Sequence, residues 1–175
     1  MIESVNLIIR PYNEEDFESF LCLQNENPIF NSFDKDIIRL CARKAFEISS
    51  CERFSIFEKA TGQYCGNIEY HKEKDEEYPE IGISLLSDKQ NKGIGTEAVI
   101  CFCNDCFCSE GVDTVLIRIE HNNLRSKHLF EKLGAVYIGN KTIPIFEKLY
   151  KEMDRSIPDN SQLGADTYYL KLPIK

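Results

Sequence analysis

Residues 90–98 read Gln90-Asn91-Lys92-Gly93-Ile94-Gly95-Thr96-Glu97-Ala98, and Gly93 to Ala98 match G-x-G-x-x-A. In a dinucleotide fold this pattern follows a strand almost directly and opens a helix that holds a pyrophosphate at its N-terminus. Here the polar residues Ser87 to Lys92 separate the apolar Leu86 from Gly93. A ribose-binding acid is available in Glu120, but the unit would begin near residue 80 and leave too few strand-helix repeats for a dinucleotide domain. A dinucleotide-binding oxidoreductase is therefore the weaker reading. A polar loop with two glycines ahead of a helix still suits an anion, because glycine lets backbone N–H groups approach and the helix dipole adds its favourable end. An ordinary tight turn would share the pattern, so the flanking sequence has to decide.

Upstream, "VNLIIRPY" (residues 5–12) reads as a strand closed by Pro11, and Asn13 caps an amphipathic helix with Phe17, Phe20 and Leu21 on one face. Asp34 to Ser49 reads as a second helix with Ile37, Ile38, Leu40, Cys41 and Ala45 as its apolar side. "RFSIFEKATGQYCGNIEYH" (53–71) is a hairpin turning at Thr61-Gly62. A charged loop, "KEKDEEYP", leads to the strand "EIGISLL" (80–86) and the glycine loop. Downstream come a helix from Thr96 to Cys108, the apolar strand "TVLIRIE" (114–120), and a helix with Leu129, Phe130 and Leu133 that ends at Gly134. Two last strands, "VYIGN" (136–140) and "TYYLKLP" (167–173), flank residues 143–165, where a short helix around "IFEKLYKEM" is expected. The order β-α-α-β-β-β-α-β-α-β-β predicts one α/β domain over residues 1–175, a mixed sheet flanked by helices.

The 175 residues suffice for one domain with a full core. A net charge of −8 without clustered Lys or Arg argues against nucleic acid as a partner. No apolar run is long enough for a membrane span, and no secretory pattern opens the chain, so a cytoplasmic protein is expected. Of the eight cysteines, Cys101, Cys103, Cys106 and Cys108 crowd one helix. At about 100° per residue Cys103 and Cys106 fall nearly opposite Cys101 and Cys108, so no tetrahedral metal site is expected and the thiols read as small apolar fillers.

Together these segments resemble the GNAT superfamily of acyl-CoA N-acetyltransferases. "QNKGIG" is similar to its Q/R-x-x-G-x-G/A pyrophosphate loop, and "NLRSKHLFEKLGA" (123–135) to its N-x-x-S/A-x-x-x-Y/F-x-K-x-G-F segment. "EIGISL" looks like its fourth strand and "LIIRPYNEEDF" like its first strand and helix. "LIIRP" (7–11), "GIGTEA" (93–98) and the Asn123–Ser126 N-x-x-S are similar to the "LxLRP", "GxGTEA" and N-x-x-S typical of the branch that acetylates N-terminal amines of ribosomal proteins, a branch that also holds small-molecule acetyltransferases.

The resemblance implies direct acetyl transfer from acetyl-CoA to an amine, on a protein N-terminus or a small molecule, by a monomer or homodimer without a metal. It places the pantetheine in a gap between splayed fourth and fifth strands. Leu85 and Leu86 would offer backbone groups there. Gln90, Asn91, Lys92, Gly93, Ile94, Gly95 and Thr96 would wrap the pyrophosphate, Asn123 would bond the pantetheine arm, and Phe130 would pack beside it. An amine must lose a proton, so a carboxylate is needed. Glu80 is the first choice, with Glu69, Glu97 and Glu120 as rivals and Glu97 read foremost as a first-turn charge. The Leu86 N–H is expected to stabilise the oxyanion. The superfamily's general-acid tyrosine is here Phe130, so Ser126 is the expected substitute unless the thiolate departs without an acid, and a coenzyme A-binding module without turnover is the alternative. His71, His121 and His128 read as surface or loop residues, and Tyr168 and Tyr169 as packing residues. Residues 26–38 and 143–165 are expected to form the acceptor pocket.

Overall fold

The computed structural model describes residues 1–27, 34–48, 53–72, 77–107, 111–142 and 164–174. Among these, strands β1 (Ile2–Glu3), β2 (Leu7–Pro11), β3 (Arg53–Glu58), β4 (Tyr64–His71), β5 (Glu80–Leu85), β6 (Thr114–Glu120), β7 (Val136–Thr142) and β8 (Gly164–Lys171) form one sheet. Its order is β1-β2-β3-β4-β5-β6-β8-β7. The helices are α1 (Phe17–Asn25), α2 (Lys35–Ile48), α3 (Ile94–Phe102) and α4 (Leu124–Lys132). The expected order therefore holds, with one addition: β1, a two-residue strand too short to carry a periodic signal. The expected helix around "IFEKLYKEM" lies outside the described residues.

Local chemistry sets the element boundaries. Asn13 accepts from the Glu15 N–H at 3.0 Å while Asp16 accepts from the Asn13 N–H at 3.1 Å, a reciprocal cap ahead of α1. Asp16, only 4% exposed, also takes the Arg10 guanidinium at 2.7 and 2.8 Å and the Ser55 hydroxyl at 2.9 Å. These bonds lock the start of α1 onto β2 and β3. α4 ends in a Schellman turn: Gly134 has φ +91°, its N–H meets the Glu131 carbonyl, and the Ala135 N–H meets that of Phe130, each at 3.0 Å.

Two expectations change. In α2 the buried residues are Ile38, Ala42 and Phe46, whereas Ile37 and Leu40 are 46% and 57% exposed and Cys41 is exposed. The i, i+4, i+8 row faces Tyr12, Phe17 and Phe20, and residues 37, 40 and 41 lie off that row. α3 begins at Ile94, two residues earlier than expected, because Gly93 in the left-handed region (φ +82°) turns the chain into the helix. It passes into a π-helical turn over Cys103–Phe107, and Cys108 lies outside the described residues.

α3 and α4 pack on one face of the sheet, where Ile9, Ile56, Ile117, Phe102 and Phe130 form the main core. α1 and α2 enclose a second cluster on the opposite face, against β2 to β4. β4 and β5 pair over six residues, from Gly66↔Leu85 to His71↔Glu80. β5 and β6 run parallel, and the single pair between them is Glu80↔Leu116. Beyond that point β6 pairs fully with β8, out to Glu120↔Ala165. The sheet is thus closed at Glu80 and open from there to the C-terminal ends of β5 and β6.

Candidate active site

The glycine loop stands at the mouth of this opening, and several contacts fix it. The Leu86 N–H bonds the Cys65 carbonyl at 3.0 Å, and Glu26 accepts from the Ser87 N–H at 2.7 Å. Lys89 is buried, its ammonium 2.7 Å from Gln63 Oε1 and 3.5 Å from Glu58. Gln90 donates to the Leu85 carbonyl at 2.8 Å and accepts from Arg125. Asn91 (φ +58°) and Gly93 then reverse the chain.

α3 starts without a side-chain cap, and its first helical bond is Glu97 N–H to the Gly93 carbonyl at 3.0 Å. The N–H groups of Gly93, Ile94, Gly95 and Thr96 are therefore the helix's orphan donors. With exposed Lys92 and Arg125 beside them, they form a site of positive potential suited to an anion. Gly95 serves close packing: a Cβ there would lie 2.8 Å from Leu129 Cδ1 and 3.5 Å from Leu85 Cδ1.

Strand parity corrects one assignment. The Leu86 N–H is spent on Cys65 of β4, so it cannot serve an oxyanion in the gap. In an antiparallel ladder alternate residues point their N–H groups to opposite sides. With this register, Ser84 and Gly82 share the direction of Leu86, whereas Ile83 and Leu85 turn theirs toward β6 and the opening.

Asn123 caps α4, its carbonyl oxygen accepting from the Ser126 N–H at 3.1 Å, which leaves the amide NH2 for other partners. Ser126 is half-buried in the first turn. Phe130, 2% exposed, belongs to the main core.

The carboxylates separate. Glu80 sits at the closed end, ion-paired to Arg118, with His71 Nε2 at 3.4 Å. His71 is thus a strand residue beside a candidate acid rather than a loop residue, with its side chain 41% exposed. Glu69 pairs across β4 and β5 with Gly82, and its Oε1 would lie 3.5 Å from a Cβ placed there, so it covers the middle of β5 past the closed end. Its Oε2 is held by Arg53, at 2.6 Å from Nε, and Arg53 stacks 4.8 Å from the Phe20 ring. Glu97 is spent on structure, accepting from Ser4 Oγ at 2.7 Å and from the Asn6 N–H at 2.8 Å and side-chain amide at 3.0 Å. Burial pushes its carboxyl up, but these bonds outweigh that and hold it below the usual range. Glu120 is exposed at the end of β6.

Residues 6–136, well over half of the chain, match the model of the acetyltransferase (GNAT) domain. The chain belongs to the GNAT acetyltransferase family. No curated protein matches it in sequence. Among solved structures, a GNAT-family acetyltransferase from Bacillus anthracis superposes with a TM-score of 0.69 at 20% identity, over 96% of this chain and 95% of that one. A spermidine N-acetyltransferase from Vibrio cholerae in complex with CoA and spermine gives 0.69 at 15%, over 98% of both. A V. cholerae protein assigned provisionally as a ribosomal-protein-serine acetyltransferase gives 0.69 at 16%, over 97% and 96%. At these identities the likeness shows the fold alone.

In this GNAT chain the remaining candidates are quiet. Tyr168 is buried against Tyr137, and Tyr169 packs on Tyr78. Burial pushes the Cys65 and Cys101 thiols up, in keeping with their use as apolar fillers. No group of His, Cys, Asp or Glu among the described residues is arranged to hold a metal, and no described helix is long and apolar enough to cross a membrane. Sequence reading missed Arg125 and Arg53. Arg125 lies inside the N-x-x-S motif and had a positional signal. Arg53, at the edge of a hairpin, had none.

Proposed function

We propose that this GNAT protein is an acetyl-CoA-dependent N-acetyltransferase acting on a primary amine of a protein N-terminus or a small molecule. One observation carries the reading: an uncapped helix start with four free N–H donors stands at the mouth of a sheet opening that a linear arm can enter. The residues fit coenzyme A. The Gly93–Thr96 amides, with Lys92 and Arg125, would hold the pyrophosphate while Gln90 keeps Arg125 in place. Ile83 and Leu85 would bond the arm from one side and the Asn123 amide NH2 from the other, with Phe130 as the apolar wall behind them. Acetyl-CoA supplies the activated acetyl thioester.

The Ile83 N–H, the first past the closed end to face the opening, would stabilise the oxyanion in place of Leu86. Each carboxylate carries an arginine, Arg53 on Glu69 and Arg118 on Glu80, so position decides our choice: Glu69, which covers Gly82 past the closed end, would take the amine proton, whereas Glu80 sits at the apex. Ser126 would protonate the departing thiolate. A coenzyme A-binding module without turnover is the second reading, favoured by Phe130 where the family often has a tyrosine.

Incubating the protein with acetyl-CoA and a panel of amines, with free thiol as readout, tests both. Thiol release is expected, and Glu69→Gln should lower kcat about 100-fold against a much smaller loss for Glu80→Gln. Thermal stabilisation by acetyl-CoA with no turnover on any amine would select the binding module. Stabilisation by NAD(P) but not by acetyl-CoA would overturn both readings.

A further inference from the structure

Outside this site, one polar cluster is built into the far side of α4. Asp166 on β8, 5% exposed, is ion-paired to Lys127, with His121 Nδ1 at 3.1 Å and Asn140 Nδ2 at 3.4 Å. The Lys127 ammonium, followed by the other contacts, holds the Asp166 carboxyl below its usual range against the effect of burial. The four side chains come from the turn before α4, from α4 itself, and from the ends of β7 and β8 that lie toward the mouth of the opening.

α4 needs such a tie. Its apolar contacts with the core, through Leu129 and Phe130 and through Leu133 just past its end, all fall toward its C-terminus. In the first half, Leu124 is 73% exposed, and Arg125 and His128 are exposed. Lys127, only 15% exposed in its side chain, fastens that half to β8. A buried ion pair adds little stability over an apolar pair of similar size, but it fixes one position where apolar contacts tolerate sliding.

We propose that Lys127 and Asp166 are positioning residues for the cosubstrate: their clamp sets where Asn123, Arg125 and Ser126 stand along the opening. The proposal rests on the acetyl-CoA reading above.

The test compares the full-length protein with its Lys127→Met, Lys127→Arg and Asp166→Asn variants. The readouts are coenzyme A affinity by calorimetry, KM for the best amine of the panel, and the thermal midpoint. Lys127→Met and Asp166→Asn should weaken coenzyme A about tenfold, the scale of a sub-ångström displacement of binding groups, and leave the KM of the amine unchanged. Lys127→Arg should stay within about twofold of the parent. Asp166→Asn keeps shape and an acceptor oxygen, so it reports even if Lys127→Met does not fold. Unchanged coenzyme A affinity in either folded variant would overturn the clamp, as would a parallel rise in both constants. A parent protein that binds no coenzyme A would instead overturn the function reading itself.

Discussion

Replacing Gly95 by alanine puts the proposed anion site under direct strain. The added methyl would sit 2.8 Å from Leu129 Cδ1, and restoring the 3.4 Å of ordinary contact requires 0.6 Å of movement, shared between the end of the Leu129 side chain and the first turn of α3. Two effects oppose each other. Alanine favours the helix by about 1 kcal/mol over glycine, while overpacking a close contact costs about 1–3 kcal/mol. The expected net loss is about 0–2 kcal/mol, and each kcal/mol lowers the midpoint of a domain of this size by about 2–4 °C. Binding should suffer more than stability. A displaced first turn carries the N–H groups of Ile94 and Thr96 with it, and coenzyme A affinity should fall about tenfold. Adding Leu129→Ala removes the opposing methyl, so the double variant should be about 1 kcal/mol more stable than the sum of the single effects predicts. Thermal denaturation and calorimetry on the four proteins measure both quantities. Parental coenzyme A affinity in Gly95→Ala, together with strictly additive stabilities, would refute the reasoning.

Two further outcomes follow from contacts remote from the chemistry. Glu97→Gln should lower stability by about 1 kcal/mol near neutral pH, because a carboxylate accepting hydrogen bonds is worth more than an amide there. The folded carboxyl lies below the ordinary glutamate value of 4.5, so the parent's advantage is full above that value and disappears as pH falls through the lowered one; chemical denaturation at pH 7 and near pH 3 measures it. Gly66→Ala should cost more than about 3 kcal/mol, since its Cβ would lie 2.0 Å from the Ser84 carbonyl oxygen and 2.8 Å from Leu85 Cα, backbone atoms that cannot rotate away. Its soluble yield and thermal midpoint report this, and a parental midpoint would contradict the β4–β5 register.

Much of the site was legible because its signals are local. The Gly93 turn and the Gly134 stop each rest on a glycine with a conformational reason to be there. What failed depended on partners distant in sequence. The buried side of α2 was misplaced because Ile37 and Leu40 are as apolar as Ile38, and only the position of Tyr12, Phe17 and Phe20 decides which row faces inward. Our proposed oxyanion donor is Ile83 rather than Leu86 because hydrogen-bond parity along β5 is set by its register with Cys65 and Gly66, not by composition. Glu80 and Glu69 read alike in sequence. Each holds an arginine, 38 and 16 residues away, and what separates them is place: Glu80 at the bridge to Leu116, Glu69 over Gly82.

The single Glu80↔Leu116 pair also bears on how the molecule unfolds. Main-chain cooperativity runs unbroken from β1 to β5 and from β6 through β8 to β7, but only one bridge joins the two blocks. Coupling across the seam falls to side chains, to Arg118 on Glu80 and Tyr169 on Tyr78, and to the helices laid over it. The two blocks share one core across a seam with few main-chain bonds, and a molecule lying along Ile83 and Leu85 would act there as mortar. At 100 times its Kd such a molecule would add about 2.7 kcal/mol to the joined state, so the empty enzyme is the loosest form of the fold and occupancy is what makes the sheet a single body.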